Sequence, residues 1–381
     1  MKPDGLGESG PERSEDQCRQ GELCGTQALR SVNFSLAPLL NNANDYRTHL
    51  LSVLAVEGGS HRMEVAPQGG LAVWDGWDGI DTDQPLRVGI LGTGNVGTDL
   101  LLKVQRSQLL ECAMFAGRNI DSVGMRRASQ LDVPLSERGI AAITEDPSRF
   151  DLVFDATSAL DAERHWTLLS ALGVPVIDLT PANLGKPCIP ALNLAECTDE
   201  SNLSMVTCGG QASIPLALCI AQTHPHVEYV EVVSTAASLG VGPATRINLD
   251  EYLITTQHAI AHFCGTAPTK AIFIVNPSDP PITMRCTVFA KASEVDLPLL
   301  RAAVNDMVAR VKSYVPGYRL VVAPLVEGGR IALTVQVTGA GDYLPSYAGN
   351  LDIITCAAVA AAEERARALS QRTQIPTQRH E

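Results

Sequence analysis

The chain has 381 residues, 45% of them hydrophobic and only 4% aromatic, with a formal net charge of −13 at pH 7. That length accommodates two domains, and the acidic balance disfavours nucleic acid as a partner. There is no apolar run of about 18 residues and no basic stretch ahead of an apolar core, so neither a membrane span nor a secretory signal is expected.

Residues 1–84 read as an N-terminal extension. They begin with a polar stretch rich in Gly, Glu, Ser and Arg up to about Gly25, which predicts disorder there. A mixed segment with the run Val73-Trp74-Asp75-Gly76-Trp77-Asp78 follows. From Leu86 an alternation of strands and helices marks an α/β fold. Arg87 to Leu91 reads as a buried strand running into Gly92-Thr93-Gly94-Asn95-Val96-Gly97, with a helix after it through Val104. A G-x-G-x-x-G between a strand and a helix is a dinucleotide-binding turn. Its glycines allow the tight turn and close backbone approach, and the pyrophosphate sits at the helix N-terminus.

A second strand, Glu111 to Ala116, ends at Gly117-Arg118-Asn119. An acid at this point usually holds the ribose 2′-OH of NAD. Arg118 stands there instead, with Asp121 slightly late, so NAD and NADP both stay open as cofactors. Further strands, Leu152 to Ser158 and Pro175 to Thr180, carry Asp155 and Asp178 to the cofactor edge, where they orient the cofactor or cap helices.

Leu203 to Thr207 is an apolar, β-branched run that meets Cys208-Gly209-Gly210, and a helix is predicted over Ala212 to Ala221. A thiol at a helix N-terminus faces unpaired N–H groups and the positive dipole end, which stabilise a thiolate. The two glycines suggest close approach of a substrate carbonyl to the backbone. Beyond Cys208, strands over Val227–Thr235, Ala271–Val275, Thr283–Lys291 and Ile331–Val337 suit a mixed sheet with helices on one side. The helical stretch Leu351 to Ser370 returns to the first domain. The expected division is a Rossmann dinucleotide-binding domain over 85–207, completed by a C-terminal helix at about 348–381, and a second α/β domain over 208–347.

The ten cysteines show no C-x-x-C and no zinc spacing, so they read as reduced cytoplasmic thiols and no metal site is expected. His258 and His262 lie one helical turn apart but read as surface histidines, although His258 stays open as an activator of the cysteine. Arg246 is either a phosphate ligand or a salt-bridge partner, and Asn276 either positions substrate or makes a turn.

A dinucleotide turn and a helix-capping cysteine together describe an oxidoreductase that works through a thioester. The thiolate adds to an aldehyde, hydride leaves to nicotinamide, and an acyl-enzyme remains. At this point the chain resembles the acylating acetaldehyde dehydrogenases that work with 4-hydroxy-2-oxoacid aldolases. The resemblance runs over about residues 86–370, through GTGNVGTDLLLKV, DLVFDATSA, VIDLTPA, MVTCGGQASIP, GPATRINLDEY, VNPSDPPITMR, YVPGYRL and YLPSYAGNLDI. It implies Cys208 as nucleophile and coenzyme A as co-substrate. Thr93, Gly94, Asn95 and Val96 would form the NAD-binding turn. A second cofactor loop would be Gly240-Val241-Gly242-Pro243-Ala244-Thr245-Arg246-Ile247-Asn248, with Asn350 near the nicotinamide. It also implies a Rossmann domain joined to an α/β dimerisation domain, a homodimer, and an aldolase partner.

The chain departs from that pattern in three places. Cys286 follows Met284-Arg285 where family members usually carry an aspartate taken as general base. A thiol is a poor substitute for a carboxylate in that role. The stretch from Leu320 to Thr334 is shorter by something like a dozen residues, and about 85 residues precede the Rossmann strand. These differences keep other readings open. One is a thioester reductase or phosphate-using semialdehyde dehydrogenase in a biosynthetic pathway, and another is a catalytically weakened scaffold for an aldolase.

Overall fold

A computed structural model of the protein describes residues 84–224, 226–266 and 268–373. The N-terminal stretch read above as partly disordered, the tryptophan-bearing run and the last eight residues lie outside the described residues.

Seven strands form a first sheet: β1 (Leu86–Leu91), β2 (Leu110–Ala116), β3 (Leu135–Ser136), β4 (Leu152–Asp155), β5 (Val176–Asp178), β6 (Lys186–Pro187) and β7 (Asn202–Ser204). They run in the order β3-β2-β1-β4-β5-β7-β6, with every pairing parallel. This is the expected Rossmann-like sheet. β1 is buried at all but one position, as a parallel strand covered on both faces must be. The strand order reverses beside β1, and ligands of open α/β sheets bind at such switch points.

The helix after β1, α1 (Asn95–Val104), starts at the glycine turn. Two glycines there are sterically required. Gly92 has φ +100°, and a Cβ on Gly97 would lie 1.8 Å from the Gly92 carbonyl oxygen, so no other residue fits. Later helices are α2 (Ala159–Ala171), α3 (Cys208–Thr223), α4 (Leu249–Cys264), α5 (Leu297–Lys312) and α6 (Gly349–Thr373). As expected, α6 returns to the Rossmann sheet. Its Ala357, Ala358, Ala361, Ala362 and Ala366 share one core with Leu100, Leu101 and Val104 of α1, and small side chains allow that close packing.

A second sheet holds β8 (Val227–Ala237), β9 (Thr269–Asn276), β10 (Met284–Ala292), β11 (Tyr318–Glu327) and β12 (Arg330–Val337) in the order β11-β12-β10-β8-β9. It is mixed, because β8 and β9 pair in parallel while the other neighbours are antiparallel. Helices α3, α4 and α5 cover one face, where Ile214, Ile220, Ile260, Leu300 and Val304 meet Val232, Val288 and Leu333. Each such fully buried side chain contributes roughly 1.5–3 kcal/mol relative to leaving it exposed. The other face carries no helix from this core, and Ile274 and Phe289 are 43% and 41% exposed on it.

Strand β11 was not among the strands read from the sequence. It is an edge strand with two register shifts and Pro324 within it, which breaks the alternation that marks a strand. A two-residue Gly328-Gly329 turn, with φ of +55° and +75°, joins it to β12. Positive φ at both positions makes the tight hairpin.

Candidate active site

The chain leaves β7 through Met205-Val206-Thr207 and enters α3 at Cys208. Val206 is buried with φ +57°, a conformation costly for a β-branched residue. Its neighbours hold the turn. The Met205 N–H donates to the Asp178 carbonyl (2.8 Å), and Gln211 Nε2 donates to the Cys188 and Met205 carbonyls (2.7 and 2.9 Å). Thr207 caps α3 by accepting the Gly210 N–H (2.9 Å), and its hydroxyl meets Thr256 Oγ1 at 2.8 Å. Cys208 is therefore the first residue of a capped helix. It packs against both main cores at once.

Cys208 Sγ lies 3.4 Å from the hydroxyl of Tyr252, on α4. That oxygen already accepts the Gly209 N–H at 2.8 Å, so its hydrogen is free to point at the sulfur. Tyr252 is fully packed, with the Phe273 ring 4.7 Å away. Ser234 completes the cluster, and Cys286 Sγ donates to its Oγ at 3.3 Å. Cys286, at the position that the resemblance gives to a general base, thus stands beside the Cys208 turn through Ser234, whose Oγ would lie 2.4 Å from a Cβ on Gly209. Tyr252 and Ser234 were missed.

The reading of the two glycines is corrected. A Cβ on Gly209 would lie 2.3 Å from Tyr252 Oη and 2.4 Å from Ser234 Oγ, and one on Gly210 would lie 2.9 Å from Val206 Cγ1. Protein atoms, not substrate, fill the space their missing side chains leave. The electrostatics differ from the simple expectation as well. Burial raises the Cys208 thiol above its ordinary value of 9.0, while the Tyr252 hydroxyl and the backbone N–H groups of Gly209 and Cys208 pull it down without cancelling the shift. Cys286 is pushed up to about 12, first by burial and further by Cys208.

An acid with a raised pKa is protonated at neutral pH, and its reactive anion grows as pH rises. Alkylation of Cys208 by iodoacetamide should therefore still be increasing at pH 9. A hydrogen bond to a charged group contributes about 1.5–3 kcal/mol. Tyr252→Phe should accordingly slow labelling at pH 8 by about ten-fold or more, read by peptide mass spectrometry. Unchanged labelling would mean that the hydroxyl does not act on the sulfur.

On the cofactor side, Gly94 is the N-cap of α1 and no side chain caps the helix. A Cβ built on Gly94 would meet nothing within 4 Å. The first-turn N–H groups, which have no partner within a helix, thus face open space where Thr93, Asn95 and Val96 stand. The second loop folds as a short helix, Pro243–Ile247, after a 3-10 turn at Ser238–Gly240. It comes to the first turn, because a Cβ on Gly242 would lie 3.5 Å from Asn95 Nδ2. Asn350 Nδ2 donates to the Gly240 carbonyl (2.9 Å), and its Oδ1 is buried without a partner. Asn95, Gly240, Gly242 and Asn350, from three segments distant in sequence, are brought together.

Other candidates fall outside this convergence. The Arg118 side chain is 84% exposed, 3.6 Å from Asp161. Arg246 donates to the Val241 carbonyl and to the Ser238 carbonyl and hydroxyl (2.9–3.1 Å), so it staples its own loop. Asp155 accepts from Thr157 and pairs with His165 (2.7 Å). Asp178 accepts the Thr180 N–H, and burial beside Asp155 raises it to about 8. His258 and His262 are exposed on α4, and Asn276 Oδ1 closes a turn on the Ser278 N–H. Among the described residues, no three His, Cys, Asp or Glu side chains are grouped to hold a metal ion, and no helix is long and apolar enough to cross a membrane.

Comparison with known proteins bears on the same residues. The chain is 57% identical over 282 residues to acetaldehyde dehydrogenase 2 of Salinispora arenicola (strain CNS-205), a match covering 74% of this chain and 96% of the relative. The chain belongs to the acetaldehyde dehydrogenase family. The acetaldehyde dehydrogenases of Pectobacterium atrosepticum and Spirochaeta aurantia are 54% and 55% identical to it, again over 96% of their length and 74% and 75% of this chain. Residues 208–345 match the dimerisation family of prokaryotic acetaldehyde dehydrogenases. That family match begins at Cys208, and the resemblance read over about three quarters of the chain holds.

Proposed function

We propose that the protein is an NAD(P)-dependent, coenzyme A-acylating aldehyde dehydrogenase, interconverting a short aldehyde and its acyl-CoA through a thioester on Cys208. The observation that carries this reading is the chain of contacts from nucleophile to dinucleotide turn. Cys208 meets Tyr252 on α4, the loop leading into α4 meets Asn95, and that loop's Gly240 holds Asn350. The residues fit a nicotinamide dinucleotide. The open, uncapped start of α1 suits a pyrophosphate, and the unpartnered Asn350 Oδ1 is an acceptor for an amide N–H. The bound cofactor supplies the hydride acceptor.

The chain's own groups do the rest. Cys208 Sγ attacks the aldehyde carbon and then carries the acyl group once hydride has left. Tyr252 O–H stabilises the thiolate before attack and again as it leaves. An incoming thiol displaces the acyl group and restores Cys208. The exposed Arg118 is compatible with a 2′-phosphate as well as with the adenine of NAD, so either nicotinamide cofactor belongs to the reading. NAD(P)H formation from acetaldehyde should require coenzyme A. Equal rates with phosphate, or with neither acceptor, would overturn this reading in favour of a phosphorylating or hydrolytic enzyme.

In this reading cofactor binding belongs to 85–207 with α6 and catalysis to 208–347, and the presence of one sheet in each range supports it. For assembly, the face of the second sheet that carries no helix among the described residues, with Ile274 and Phe289, is the surface that would close against a second copy. An aldolase partner in the cytoplasm, receiving or delivering the aldehyde, remains part of the proposal on resemblance alone.

A further inference from the structure

Lys103 stands on the last turn of α1, at the opposite end from the glycine turn, and its side chain is only 5% exposed. Its ammonium meets Asp99 at 2.7 Å, Asp352 at 2.8 Å and Asp342 at 3.1 Å. Asp99 is one turn back on α1, Asp352 lies in the first turn of α6, and Asp342 lies in the loop that precedes α6. Arg106 adds a two-nitrogen contact to Asp342 at 2.7 and 2.6 Å. Thr355 Oγ1 donates to Asp99 at 2.6 Å. Burial opposes the lysine's charge, but Asp99 and Asp352 outweigh it and the ammonium is held above its ordinary value.

A buried ion cluster contributes little net stability compared with apolar packing, while it fixes geometry closely. What this cluster fixes is the segment 339–352. Asp342 and Asp352 stand on either side of Asn350, the residue that reaches Gly240 and leaves a buried oxygen unpartnered. Backbone hydrogen bonds within the segment, such as Gly339 N–H to the Ser346 carbonyl and Ala348 N–H to the Pro345 carbonyl, set its internal shape, and the Lys103 contacts to Asp342 and Asp352 add its charged ties to α1.

We propose that Lys103 is a positioning residue for cofactor binding, clamping the Asn350 segment to the helix that opens at the glycine turn. The proposal rests on the reading of that turn as the nicotinamide dinucleotide site. Asp342 is its outer jaw, at 13% exposure, and can be altered with little disturbance of the core.

The test compares the full-length wild type with Asp342→Asn and Lys103→Met, using calorimetric titration with NAD, steady-state kinetics and thermal melting without cofactor. The expected result for Asp342→Asn is a rise of about ten-fold in Kd and KM for NAD. Its kcat at saturation should stay within two-fold and its melting temperature close to wild type. Lys103→Met should shift the same constants further. If Lys103→Met does not fold, Asp342→Asn still decides the matter. A lowered melting temperature with unchanged Kd and KM in either variant would make the cluster merely structural and overturn the proposal. A wild type that binds neither NAD nor NADP would overturn the site reading itself, a result distinct from failure of the clamp.

Discussion

Cys208→Ala will abolish turnover while leaving the Kd for the nicotinamide cofactor within a few-fold of wild type. In the proposed mechanism the sulfur is the group that becomes acylated, so no step would survive its loss. The proposed dinucleotide contacts, by contrast, lie at Asn95 and the start of α1, on elements that the substitution does not touch. Alanine also keeps the first residue of α3 helical, and the Thr207 cap stays in place. Mass spectrometry of the wild type incubated with acetyl-CoA should find an acetyl adduct on the Cys208 peptide. An adduct confined to Cys286 would reverse the assignment.

The second large effect is expected at Cys286. Its thiol, buried and raised to about 12, cannot accept a proton at neutral pH, and the nearby Cys208 is itself held as a thiol. The site therefore pairs a nucleophile that needs deprotonation with no base within the Cys208–Tyr252–Ser234–Cys286 cluster. Activity of the wild type should accordingly rise with pH through the neutral range and beyond, in step with the Cys208 thiolate. Cys286→Asp supplies a carboxylate on β10, with the Ser234 hydroxyl as a donor beside it. A positioned base contributes typically 10²-fold or more, so kcat/KM at pH 7 should increase by about 10²-fold and the pH optimum should move down. Cys286→Ser should give no such gain. A folded Cys286→Asp protein no faster than wild type would show that the position does not act as a base in this chain.

Much of the site was legible because it is local. The glycine turn has its strand and helix in one run of residues, and Gly92 and Gly97 are fixed by contacts within that run and with the neighbouring strand. Cys208 was legible for the same reason, as a strand, turn and helix in sequence. Tyr252 was not. It is one of many residues on an amphipathic helix, and only the packing of α4 on α3 turns its hydroxyl towards Cys208. The glycines after Cys208 were misread because the neighbours of Gly209, Tyr252 and Ser234, come from elsewhere in the fold. Arg246 looked free for a phosphate until its loop closed on Ser238. The raised Cys208 thiol follows from burial at the junction of two cores, a property that no spacing along the chain carries.

The face of the second sheet that no helix among the described residues covers has a consequence for what stability means in this protein. If two copies close over Ile274 and Phe289, folding and association become one equilibrium, governed by mass action. A protomer alone would expose an apolar strand surface to water, and its folded fraction would depend on how many others surround it. Substitutions on that face would then act through concentration: harmless in a crowded solution, and costly on dilution although they touch no part of the active site.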